Sequence, residues 1–139
     1  MDDHKAEIRA VSDPDSPIQD PRSAVLKHHR AGTVEVGIEV MSGGHLLHLA
    51  LAGCVFNNIF RLAAERGVTV SDCRITADGD FTDTASTGIG YEVEISGSAS
   101  ADKLEALVRD ADADSTIAAV LRAVTDVTID AVAVHPAVQ

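Results

Sequence analysis

Two thiols, six imidazoles and eleven Lys or Arg side chains are the groups in this 139-residue chain that could do chemistry. Their spacing singles out Cys54. The run Gly44 to Arg66, GHLLHLALAGCVFNNIFRLAAER, holds no proline and predicts a helix of about 34 Å at 1.5 Å per residue. On that helix Leu47, Ala50 and Leu51 precede Cys54 on its own face, and Asn57, Asn58 and Arg61 follow it. The thiol therefore stands where the face turns from apolar to polar. Asn58, one turn on, can donate to a thiolate; Arg61, two turns on, leans back toward Cys54 because helical side chains tilt to the N-terminus. A nucleophilic thiol needs such donors or cations. A free cysteine in an apolar helix is also a common inert core residue, so the pattern leaves both readings open.

His45 and His48 do not complete a Cys–His pair. At 100° per residue they lie about 180° and 240° around the helix from Cys54. As an i, i+3 pair they could share a metal, but no third and fourth ligands are evident, and none is expected. Lys27-His28-His29-Arg30 is the one dense cationic run, either an anion-lining segment or a solvated strand end. Cys73, between Asp72 and Arg74 in a predicted strand, reads as packing. No phosphate loop, dinucleotide fingerprint or Gly-x-Ser-x-Gly elbow occurs, so no cofactor is expected.

The elements that position these residues follow from periodicity. Strands are expected over 5–11 and 23–29, separated by the proline-rich loop 12–22, SDPDSPIQDPR. Residues 33–40 alternate, with Val34, Val36, Ile38 and Val40 on one face and Glu35 and Glu39 on the other. Ser42 or Gly43 can cap the long helix, and Arg66-Gly67 supplies its basic last turn and C′ glycine. Being apolar nearly all round over its first two-thirds, it is expected to be buried on several sides. Long strands over 68–81 and 88–98, helices over 101–111 (capped by Ser100) and 114–124, and a last strand over 126–134 complete an α+β order. The length suits one domain: N-terminal hairpin strands 1–41, central helix 42–67, strand pair 68–98, and helix pair with last strand 99–139.

Composition narrows the class. With 22 acidic against 11 basic residues the net charge is −11, mostly in the second half: −2 over 1–68 and −9 over 69–139. Such acidity opposes phosphate-backbone binding, so no nucleic-acid partner is expected. The charged start MDDHKAEIRA and the lack of 18 consecutive apolar residues predict neither a signal peptide nor a membrane partner. A cytoplasmic setting, with both thiols reduced, is the expectation.

The Leu/Ala-rich run from His45 to Cys54, ending Ala52-Gly53-Cys54, resembles the osmotically inducible protein C / organic hydroperoxide resistance (OsmC/Ohr) family. The resemblance continues through Ala64-Glu65-Arg66-Gly67-Val68, the strand pair 69–98, and the closing helix and strand 114–134. It implies an OsmC-like α+β fold, an intertwined homodimer built on two long central helices, and thiol-dependent peroxidase activity at the dimer interface. It places the peroxidatic cysteine at Cys54, with a small hydroperoxide and a thiol reductant as partners. The family's resolving cysteine falls on Ser115 and its carboxylate on Gly44. Its thiolate-holding arginine, from the N-terminal hairpin region, falls on Arg22 or Arg30. The resemblance thus implies a one-cysteine hydroperoxide reductase or thiol-reactive protein of weakened activity. The alternative it leaves is a degenerate member that binds a small apolar or thiol ligand between subunits.

Overall fold

The computed structural model describes residues 4–11 and 22–137; the expected loop over 12–22 lies, apart from Arg22, outside the described residues. Three helices and six strands follow in the order β1 (Ala6–Ala10), β2 (Ser23–His28), β3 (Gly32–Ile38), α1 (Gly43–Arg66), β4 (Val70–Phe81), β5 (Ser86–Gly97), α2 (Ala101–Ala113), α3 (Thr116–Arg122) and β6 (Val127–Pro136). The α+β class and the element order agree with the sequence reading.

All six strands form one sheet, ordered β2-β3-β1-β4-β5-β6. Neighbours are antiparallel except β5 and β6, which run parallel because the α2–α3 pair carries the chain back across the sheet. Alternation decides the two faces. Cys73, Ile75 and Ala77 of β4 and Ile89, Tyr91, Val93 and Ile95 of β5 are buried beneath the helices, while Arg74, Glu92 and Glu94 point to solvent. The core is aliphatic, with Phe56 and Tyr91 its largest side chains.

Helix α1 starts at Ser42, whose hydroxyl accepts the His45 N–H, and stops at Gly67, whose φ of 68° is the left-handed conformation that glycine adopts without strain. It packs on β1, β4, α2 and α3. Burial is confined to one side, through Leu51, Ala52, Val55, Phe56, Ile59 and Leu62; Leu46 and Ala50 are exposed. The expectation of burial on several sides is therefore not met within this chain, because the sheet and the two later helices cover only one side of α1. By length and apolarity alone α1 could cross a membrane, contrary to the expectation from apolar run length. Its 18-residue window has a mean hydropathy of 1.4. The side that faces the sheet, however, is the core of this fold, as expected of a central helix.

Most element ends shift by one or two residues from the sequence reading, and two of the shifts have a clear local cause or consequence. β3 ends at Ile38, so Val40 leaves the alternating face and is exposed. The last helix begins at Thr116, not at 114, because Asp114 closes α2 with its N–H on the Asp110 carbonyl, and the Ser115 hydroxyl caps α3 at the Ala118 N–H.

Candidate functional site

Cys54 lies about three turns into α1, half-buried on the border of its uncovered side. Beside it, a Cβ added at Gly53 would meet no atom within 4 Å, so the surface around the thiol is open. No described residue hydrogen-bonds to its sulfur. Asn57 shares this region, and its Oδ1 is buried with no partner. A half-exposed, unbonded thiol on an open surface is sterically free to meet a small electrophile or a second protein surface.

The two polar residues expected on the Cys54 face serve other ends. Asn58 is buried, and its Nδ2 donates to the Ala111 carbonyl at 3.1 Å, tying α1 to the end of α2. Arg61 donates to Glu65 Oε1 at 3.5 Å and to Asp114 Oδ2 at 3.2 Å. Both point along the helix toward the α2–α3 junction, because the Asp-rich end of α2 offers the nearest acceptors; neither hydrogen-bonds to the thiol. Sequence spacing put the three residues on one stripe but could not register the helix packed beside it.

The two arginine candidates occupy opposite ends of β2. Arg22 precedes the strand, exposed, with Glu39 Oε1 at 4.0 Å, and lines a shallow groove with Lys5, Glu7, Ser23 and Gly37. Arg30 sits in the β2–β3 turn. There the His28 Nδ1 accepts the N–H groups of Arg30 and Ala31 at 3.1 and 3.0 Å. The His28 ring meets Phe56 edge-on, 5.3 Å between centroids, two residues along the helix from Cys54. Burial and the neighbouring His29 and Arg30 charges hold the His28 imidazole below its ordinary range. The turn with Arg30 is therefore docked beside the middle of α1.

The positions of the other expected roles are filled structurally. Ser115 is fully buried, its hydroxyl spent on the α3 cap. Gly44, in the first turn of α1, has no room for a side chain: a Cβ there would lie 2.9 Å from both His4 Nε2 and Phe81 Cε2. Cys73 is wholly enclosed in β4, and burial, with the Asp72 carboxylate, pushes its thiol far above the usual range. It is packing, as its sequence context suggests. Among the described residues no group of three or more His, Cys, Asp or Glu side chains is arranged to hold a metal.

Sequence reasoning missed one polar network, built on the buried Tyr91. The Tyr91 hydroxyl donates to Asp112 Oδ1, which also receives Arg122 Nη2 at 2.9 Å, while Arg122 Nε donates to the Val127 carbonyl at 3.2 Å. Burial and the Asp112 carboxylate push the phenol well above its usual range. The signal available was that the chain has one Tyr, in the middle of an apolar strand, where its hydroxyl must find a partner.

Solved structures share this architecture. An OsmC-like protein from Mycoplasma pneumoniae is 11% identical with a TM-score of 0.62, the match covering 85% of this chain and all of that one. A Legionella pneumophila protein described as an organic hydroperoxide resistance protein OsmC and predicted redox protein is 20% identical, with a TM-score of 0.58 over 80% of this chain and 96% of its own. A hypothetical protein from Aquifex aeolicus VF5 is 15% identical, with a TM-score of 0.62 over 88% and 94%. At these identities the likeness is one of fold. No curated protein matches the chain. The model of the family described as OsmC-like protein matches residues 37–130, more than half of the chain and the whole path from the end of β3 into β6. This chain belongs to the OsmC-like protein family.

Proposed function

We propose that the protein, as one OsmC-like domain over 1–139, is a thiol-dependent hydroperoxide reductase or thiol-reactive protein whose working group is Cys54. The observation that carries the reading is the half-buried Cys54 thiol on an open stretch of α1, whereas Cys73 is fully enclosed; by resemblance the family's peroxidatic cysteine falls on Cys54. The Cys54 thiolate attacks the distal oxygen of ROOH, the O–O bond breaks, and ROH leaves with a proton; the cysteine becomes a sulfenic acid. An external thiol then condenses with it, releasing water and leaving a mixed disulfide, and a second thiol restores Cys54 while carrying away the disulfide. No internal resolving step is available at Ser115.

The uncovered side of α1, with Leu46 and Ala50 exposed and Val40 and Met41 beside its start, supports a homodimer in which a second copy covers the helix. A partner surface of this kind would bring the thiolate-holding cation, from Arg30 or Arg22. A reducing cytoplasm supplies the small thiols the cycle needs.

The test is consumption of cumene hydroperoxide with several thiol reductants, wild type beside Cys54→Ser. Loss of turnover in the variant supports the reading, and equal rates overturn it. A second reading, ligand binding without turnover, is favoured by the structural filling of positions 44 and 115. The thiol pKa, from pH-dependent alkylation, separates the two. A value well below 7 supports turnover, and one near about 8.5 supports binding.

A further inference from the structure

The start of α1 carries a cluster of titratable side chains that Cys54 chemistry does not use. His45 and His48 come from the first turns of the helix, His4 from the segment that enters β1, and Phe81 from the end of β4. The His4 ring lies 5.2 Å from His45, 6.0 Å from His48 and 4.9 Å from Phe81, centroid to centroid. Each imidazole is anchored through Nδ1. His48 donates to the Gly44 carbonyl at 2.6 Å, His4 donates to the Gly79 carbonyl at 3.1 Å, and His45 Nδ1 lies 2.6 Å from Ser42 Oγ. A carbonyl can only accept, so His48 and His4 hold their proton at Nδ1 when neutral.

The opposite nitrogens of the two helix histidines are left over. His45 Nε2 and His48 Nε2 have no hydrogen-bond partner, although the residues are only 4% and 0% exposed. Close packing leaves no slack: a Cβ at Gly79 would lie 2.6 Å from His48 Nε2. A proton added to His48 would therefore create a buried N–H with no acceptor, beside two more imidazoles. Among the described residues no charged group hydrogen-bonds to either Nε2. Asp80 Oδ1, from β4, lies 3.6 Å from His4 Nδ1 and serves that ring. Lys5 and Asp78 line a groove on the other side of the sheet with Glu92 and Asp130.

We propose that His4, His45 and His48 form a proton-sensitive latch, which holds the lead-in to β1 against the first turns of α1 while the buried His48 ring is neutral and opens when that ring takes up a proton. Opening would bring Nε2 of both rings to water. It would also uncover Gly44, the position where the family's carboxylate falls by resemblance. Burial, with the His4 and His45 charges, already holds His48 below its ordinary range. The closed form thus binds fewer protons than the open one. It is favoured above about pH 6.5 and loses that advantage as the pH falls through the lowered His48 value.

The test is amide hydrogen exchange followed by NMR at pH 7.5 and 5.5 in metal-free buffer, read as protection factors, with the imidazole resonances titrated alongside. The expected result is a fall of at least roughly tenfold at pH 5.5 for Leu46–Leu49, with Val55–Ile59 unchanged. His4→Gln and His48→Gln should flatten that fall. Equal protection at both pH values, a fall spread evenly along α1, or an undiminished fall in both variants would overturn the latch. So would a rise in protection of the same amides on adding Zn²⁺ at pH 7.5, which would make the cluster a metal site.

Discussion

The ring of His4 occupies the space that a side chain on Gly44 would need, so a residue at the chain's start and a glycine in the first turn of α1 are sterically coupled. An alanine in a helix gains about 1 kcal/mol over glycine from backbone entropy, whereas overpacking costs about 1–3 kcal/mol. Gly44→Ala should therefore be less favourable in the wild type than in a His4→Ala background, by at least about 1 kcal/mol. A double-mutant cycle in urea measures this coupling; additivity would contradict the packing.

The two thiols should separate cleanly in the native protein. One equivalent of Ellman's reagent should react at Cys54 without denaturant, and Cys54→Ser should abolish it. Cys73, enclosed in β4 with its thiol pushed up by burial, should react only after unfolding. Two rapidly reacting thiols in the native state would refute this assignment.

The Arg61 ion pairs with Asp114 and Glu65 are solvent-exposed, and exposed pairs contribute little. Arg61→Ala is expected to lower stability by less than about 1 kcal/mol and to leave the Cys54 alkylation rate unchanged. If the proposed thiolate-holding cation comes from the N-terminal hairpins, Arg30→Ala or Arg22→Ala should slow alkylation at neutral pH. The three variants, compared in one rate-against-pH series, identify which cation matters.

Tyr91, Asp112 and Arg122 join β5, α2 and α3 through one carboxylate. Tyr91→Phe removes a single hydrogen bond and should cost about 1–2 kcal/mol. Asp112→Ala leaves the buried Tyr91 hydroxyl without its acceptor, while the exposed Arg122 keeps the Val127 carbonyl, and should cost more, about 2–3 kcal/mol, without changing Cys54 chemistry. Urea melts of the two variants decide the order.

The β2–β3 turn should weaken in acid. His28 Nδ1 accepts two backbone N–H groups, which requires that nitrogen to be unprotonated. Its folded pKa lies below the ordinary value, so its contribution is present above about pH 6.5 and is lost as pH falls through the lowered value. Lower protection factors for the Arg30 and Ala31 amides at pH 5 than at pH 7.5 would bear this out, equal ones would contradict it, and His28→Asn should show a smaller pH response.

Local rules made much of the fold legible. The proline-free apolar run, Ser42 and Gly67 marked α1, and alternation marked β3 and β6, because caps and strand faces depend on neighbours a few residues away. The Ala52-Gly53-Cys54 run was enough to single out the thiol and the family resemblance. What those rules could not reach was every relationship across the sheet. Asn58 and Arg61 share the Cys54 stripe in sequence, yet they turn to Ala111 and Asp114 because α2 packs there. His45 and His48 looked like a pair without further company until β1 and β4 brought His4 and Phe81 against them. The sequence by itself determined the helix, the strands and which cysteine lies in which. Only the tertiary structure decided which polar groups meet, since hydrogen bonds between residues some 50 positions apart are set by packing rather than by local periodicity.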